Sequence, residues 1–100
     1  MYTLRCSLVI RNFRHRGLRR LYERGDRSGI GPDLFETVED ILARLDEADT
    51  PQAMNLPGYR LHSLKGDLKG FWSVTVRANW LIIFRFEGAD ALDVELIDYH

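Results

Sequence analysis

A single cysteine, Cys6, only three prolines and no long apolar run mark this chain by what it has little of. One thiol can form no internal disulfide and no cysteine-rich metal cluster. That excludes the disulfide-built secreted scaffolds and makes a reducing cytoplasm the simplest compartment. No stretch approaches the roughly 20 apolar residues of a membrane span. The opening segment 1–10, interrupted by Arg5, is too short for a secretory leader. With no repeat, low-complexity tract or linker to divide its 100 residues, the chain is expected to form one domain over 1–100. A domain of that size buries roughly two thirds of its unfolded surface without metals or disulfides. Lysine is scarce too: Lys65 and Lys69 stand against twelve arginines. The bias leans toward planar, bidentate phosphate contacts, although GC-rich coding would produce it equally well.

What is present is a globular composition, 45% hydrophobic and 29% charged, well above the hydrophobicity of disordered chains. The net charge of −1 conceals an asymmetry. Arg11, Arg14, Arg16, Arg19, Arg20, Arg24 and Arg27 are opposed locally only by Glu23 and Asp26. Glu87, Asp90, Asp93, Glu95 and Asp98 have no basic residue among them. The pattern permits a basic face for phosphates beside an acidic face. A solvated arginine helix accounts for the basic half as well.

Periodicity sets the expected elements. Residues 8–13 read as a first strand. Residues 17–24 read as a short helix with Leu18, Leu21 and Tyr22 on one face, and the link 25–31 is rich in turn formers. Pro32 suits the first turn of a second helix, with Asp33 and Glu36 near its positive end. Leu34, Val38, Ile41, Leu42 and Leu45 form its apolar stripe. Thr50 and Pro51 begin one more helical turn. Residues 71–77 and 80–86 alternate as strands around a tight turn at Ala78 and Asn79, and a last strand follows Gly88. Trp80, Ile82, Phe84 and Phe86 are expected to pack on the helices. Leu81, Ile83 and Arg85 should face the other way, with Ser73, Thr75 and Arg77 beside them. At this spacing the tryptophans Trp72 and Trp80 are most simply core. The expected class is α+β, an N-terminal strand and two helices on one face of a mainly antiparallel sheet.

Two segments carry candidate chemistry. The chain ends Asp98, Tyr99, His100, a carboxylate, a phenol and an imidazole in succession, the groups that move protons near neutral pH. Residues 59–66 add His62 and Lys65. Taken alone, His62 reads as a satisfied strand histidine and Lys65 as a solvated turn lysine.

Four blocks in register change that balance: His62-Ser63-Leu64-Lys65-Gly66-Asp67, Gly70-Phe71-Trp72-Ser73, Asn79-Trp80, and Asp98-Tyr99-His100. Together with Phe13-Arg14-His15-Arg16-Gly17-Leu18 they resemble the HigB-type toxins of the RelE superfamily, nearly from Ile10 to His100. The resemblance implies the RelE-like fold and a ribosome-dependent endoribonuclease that cuts messenger RNA without metal or cofactor. It also implies a HigA-like helix-turn-helix antitoxin as partner, with operator DNA reached only through that antitoxin. By the same resemblance His62 and His100 transfer protons, Asp98 orients or tunes an imidazole, Tyr99 contacts the nucleotide and Lys65 adds positive charge. Such cleavage uses the RNA's own 2′-hydroxyl, so it needs a base, an acid and cations for the phosphorane.

The chain departs from the family at three places. Ser63 stands where proline is common. Leu81 follows Asn79-Trp80 where the family typically has an arginine that binds the scissile phosphate. Arg85 shares that face about 13 Å along the strand, and Arg77 lies on the neighbouring strand; both are candidate substitutes. Residues 1–9 form an N-terminal extension in which Tyr2, Leu4, Leu8 and Val9 could lengthen an edge strand. Two other functions stay open: a toxin fold that binds its partners without cleaving, favoured by Leu81, and a ParE-like gyrase inhibitor. Retention of His62, Lys65, Asp98, Tyr99 and His100 argues against the last.

Overall fold

A computed structural model describes residues 10–98. Residues 1–9, with Cys6 and the extension, and the terminal Tyr99 and His100 lie outside the described residues. The order is α1 (Arg16–Arg24), α2 (Phe35–Glu47), a 3-10 turn at Pro51–Met54, β1 (His62–Ser63), a 3-10 turn at Gly66–Leu68, β2 (Trp72–Arg77), β3 (Trp80–Glu87) and β4 (Asp90–Asp98). The four strands pair antiparallel in sequence order. Both helices lie on one face, so the class is α+β as expected.

Helix α1 starts at His15, whose extended backbone lets Nδ1 accept from the Leu18 N–H at 3.1 Å. Such a bond satisfies one of the orphan amides of a first turn. It ends at Gly25 (φ 69°), with Gly25 N–H donating to Leu21 O and Asp26 N–H to Arg20 O. This is a left-handed cap that glycine adopts without strain. Gly17 has a different reason to lack a side chain: a Cβ there would sit 2.7 Å from the Gly29 carbonyl oxygen. The helix therefore lies directly on the 25–31 link.

Helix α2 buries Val38, Ile41, Leu42 and Leu45, and Leu34 joins them just before its first turn. These pack with Leu18, Leu21, Met54, Val74, Val76, Ile82, Phe84, Val94 and Leu96 in one cluster. Each such side chain contributes about 1.5–3 kcal/mol by leaving water. Ile82 and Phe84 are fully buried, while Trp80 and Phe86 only border the cluster. Both lie near strand ends, where the helices no longer cover the sheet. On the opposite face Phe71, Ser73, Ile83 and Leu92 are buried outside the main cluster.

The first strand is a correction. Residues 10–13 form only two isolated parallel bridges, Ile10 with Ala91 and Phe13 with Val94. The reason is a bulge in β4: Ile83 pairs with Glu95 but Arg85 with Leu92, and Asp93 takes φ 54°. Asn12 fills the gap, its Oδ1 accepting from the Asp93 N–H and its Nδ2 donating to Asp93 Oδ1, both at 3.0 Å. A continuous ladder cannot pass such a bulge, and a side-chain clamp takes its place.

The charge asymmetry also resolves differently from the sequence expectation. Arg11 donates to Glu87 and Asp90, both at 2.6 Å, so the amino-terminal arginines partly neutralise the acidic carboxy-terminal strand. Arg16, Arg19, Arg20 and Arg24 of α1 form no ion pair among the described residues.

Candidate active site

The outer face of the sheet carries a groove of about 320 Å³ lined by Arg60, His62, Leu64, Ser73, Thr75 and Leu81. Its geometry comes from the short edge strand. His62 pairs with Ser73 and Ser63 with Trp72, and the Leu64 N–H donates to Phe71 O at 2.9 Å. Upstream, the Thr75 N–H donates to Tyr59 O at 2.7 Å. The segment 59–64 is thus stitched to β2 along its length, and Arg60 stands level with Thr75. Two rows cross the sheet here. Arg60, Thr75, Leu81 and Ile97 form one, and His62, Ser73, Ile83 and Glu95 form the next.

Tyr59 anchors this edge to the helices. Buried itself, it donates its hydroxyl to Asp40 Oδ2 on α2. Burial first, and then that bond to a carboxylate, push its phenol up to about 12. The residue after it, Arg60, has φ 52°, a left-handed backbone that costs a non-glycine residue about 1–2 kcal/mol. At His62, Nδ1 lies 3.0 Å from its neighbour's carbonyl, Leu61 O. A carbonyl only accepts, so Nδ1 carries the proton in the neutral ring and Nε2 is left with its lone pair.

The other described residues singled out by sequence are dispersed around this groove. Leu81, half-buried, lines it between Thr75 and Ile97. Lys65 is exposed at the start of the second 3-10 turn, three residues from His62, and does not line the groove. Asp98 ends β4 opposite Trp80, three strands from His62. Tyr99 and His100 lie outside the described residues.

Neither arginine considered as a substitute for position 81 lines the groove. A bulge between Thr75 and Arg77 pairs Arg77 with Trp80. That extra residue turns Arg77 to the helix face, where Nη1 lies 3.5 Å from Asp33 Oδ2. Arg85 donates from Nε to Asp93 Oδ2 at 2.7 Å. The Asn12 amide first, and then Arg85, hold the Asp93 carboxyl below the usual carboxylate range. Arg60 was not among the candidate residues. Counting back two from His62 on the alternating edge would have marked it.

Comparison with known proteins adds relatives to this geometry. The family described as RelE-like toxin of type II toxin-antitoxin system HigB matches residues 11–100. A curated protein named Endoribonuclease HigB, from Proteus vulgaris, is 42% identical over 92 residues, covering 92% of this chain and 100% of that protein. A solved chain described as a YoeB/ParE toxin from Agrobacterium tumefaciens covers 71% of this chain and 78% of its own, with 22% identity and a TM-score of 0.44, too distant to inform the chemistry. The match over 11–100, together with a relative 42% identical along its whole length, leads to one assignment: this chain belongs to the HigB-like toxins of type II toxin–antitoxin systems.

Proposed function

We propose that the protein is a ribosome-dependent messenger-RNA endoribonuclease of the cytoplasm, held in check by a HigA-like helix-turn-helix antitoxin. Its relative's name, Endoribonuclease HigB, supports the reaction class. The single observation that carries the mechanism is His62 in the groove with Nδ1 committed to Leu61 O. Its Nε2 is then the free lone pair that removes the proton of a 2′-hydroxyl. The oxygen attacks the adjacent phosphate, the bond to the 5′ oxygen breaks, and His100 protonates that leaving group. Asp98 orients the second imidazole, Tyr99 contacts the nucleotide, and Lys65 adds positive potential at the rim.

The reading requires the carboxy terminus to reach back across the sheet. Three strand spacings and three residues separate His62 from Asp98, about 17 Å between Cα atoms. Leu81 places a methyl-bearing chain where the family typically has a phosphate-binding guanidinium. One missing donor of that kind typically lowers turnover about 100- to 1,000-fold, so this chain either works below the rate of a Leu81→Arg version or draws that charge from another cation of the groove. Arg77 and Arg85, engaged by Asp33 and Asp93, do not fill the place.

The experiment is cleavage of messenger on programmed ribosomes by the chain and by His62→Gln. Loss of general acid–base catalysis should slow the variant about 100-fold or more, with antitoxin binding retained. Equal rates for the two would remove His62 from the chemistry. Leu81 also favours a second reading, a toxin fold that binds without cutting. It would be supported by tight ribosome binding with no cleavage by the chain and cleavage restored in its Leu81→Arg version.

A further inference from the structure

We propose that Arg60 is the phosphate-binding cation of this groove and takes over the charge that Leu81 does not supply. The inference rests on the endoribonuclease reading and adds a residue to it. Four observations carry it. Arg60 lines the same groove as His62 and Leu81. It stands level with Thr75, which pairs with Leu81, so two strand spacings, about 10 Å, separate positions 60 and 81. An extended arginine crosses most of that distance over the small Thr75 side chain. Arg77 and Arg85 are held by Asp33 and Asp93, whereas Arg60 has no ion-pair partner among the described residues. Finally, Arg60 holds a left-handed backbone, φ 52°, that glycine would adopt without strain.

The last point separates function from architecture. Strained backbones persist where the surroundings over-determine them and tend to gather at working sites. Here Tyr59 supplies the constraint, through its hydroxyl on Asp40 and its carbonyl under the Thr75 N–H. The strand then resumes at His62, two residues on and facing the same groove. Arg60 and His62 therefore bracket one phosphate from a single short edge. The imidazole addresses the 2′-hydroxyl and the guanidinium addresses the non-bridging oxygens, whose charge grows toward the phosphorane. Stabilisation of growing charge appears in turnover more than in ground-state binding.

The test uses the full chain on programmed ribosomes, with Arg60→Gly and Arg60→Lys made in the Leu81 protein and in its Leu81→Arg version. In the Leu81 protein, Arg60→Gly should lower kcat about 100-fold or more with a smaller change in KM. Its thermal midpoint should be equal or higher, because the left-handed strain is relieved. Arg60→Lys should keep most of the rate, since it keeps the charge. In the Leu81→Arg background Arg60→Gly should cost less than about 10-fold, because two cations then share one role. Cleavage by Arg60→Gly within about threefold of the Leu81 parent would overturn the proposal, as would equal losses in both backgrounds. Activity confined to the Leu81→Arg version would overturn it too. No cleavage by either the Leu81 or the Leu81→Arg protein would instead bring down the endoribonuclease reading, and this inference with it.

Discussion

Replacing Asp93 by alanine removes the carboxylate that closes the β4 bulge, and the structure allows its cost to be worked out. The Arg85 Nε donates to Oδ2 at 2.7 Å and Asn12 Nδ2 to Oδ1 at 3.0 Å. A hydrogen bond to a charged group is worth about 1.5–3 kcal/mol. Arg85 is 39% exposed, so solvent screening brings that bond to about 1 kcal/mol. The Asn12 bond adds about 1 kcal/mol. Asp93 also holds φ 54°, which aspartate tolerates better than alanine by about 0.5 kcal/mol. Asp93→Ala should therefore cost about 2–3 kcal/mol. Asp93→Gly suits the backbone but loses both bonds, about 2 kcal/mol. Asp93→Asn keeps an Asn12 contact and the left-handed preference, at about 1 kcal/mol.

Urea unfolding followed by tryptophan fluorescence measures this series, in the order asparagine, glycine, alanine of increasing loss. At an m-value of about 1.5 kcal/mol/M, alanine should move the midpoint down by roughly 1.5 M. The pH dependence has a fixed sign. The folded carboxyl titrates below its ordinary value. Its contribution is therefore complete above the unfolded pKa near 3.9 and fades as pH falls through the lower folded value. The gap between Asp93 and Asp93→Ala should close in acid. A midpoint for Asp93→Ala within about 0.3 M of the parent, or an asparagine variant weaker than alanine, would refute the account of the bulge.

Two further outcomes concern the helix cap and the edge anchor. Burial lowers the pKa of His15, opposed by Glu95, and its Nδ1 accepts from Leu18 N–H. The stability it contributes is therefore full above pH about 6.5 and lost as pH falls through the lower folded value. His15→Asn, a good cap at any pH, should flatten that loss in thermal melts between about pH 5 and about pH 7, and His15→Ala should cost about 1 kcal/mol. Tyr59 titrates at about 12, above its ordinary value near 10, so its contribution holds below pH about 10 and is lost on passing through 12. Tyr59→Phe should remove one high tyrosinate transition and cost about 0.5–1 kcal/mol, since Asp40 is 55% exposed and re-solvates readily.

The helices and strands were legible because their signals are local. The stripe Leu34, Val38, Ile41, Leu45 gave α2 its buried face, and the alternation around Ile82 and Phe84 gave β3 its own. His62 and the terminal triplet were singled out by the motif blocks, and of these His62 lines the groove. The groove itself was not legible: it is assembled from Arg60 and His62 on one edge, Ser73 and Thr75 on β2 and Leu81 on β3. These residues fall within one stretch, 60–81, but they meet only through pairing across three strands, and that register is set by pairing partners rather than by neighbours along the chain.

By itself, then, the sequence determined the α+β class, the hydrophobic faces of α2, β2 and β3, and the family. Each is carried by residue type and spacing along one segment. Only the tertiary structure decided where the arginines go. One bulge sends Arg77 to Asp33 on the helix face, another sets Asp93 to hold Arg85, and Tyr59 pins Arg60 into the groove. Twelve arginines look alike in composition. Their charges are told apart by long-range partners, because an extra residue in one strand changes the face of every side chain beyond it.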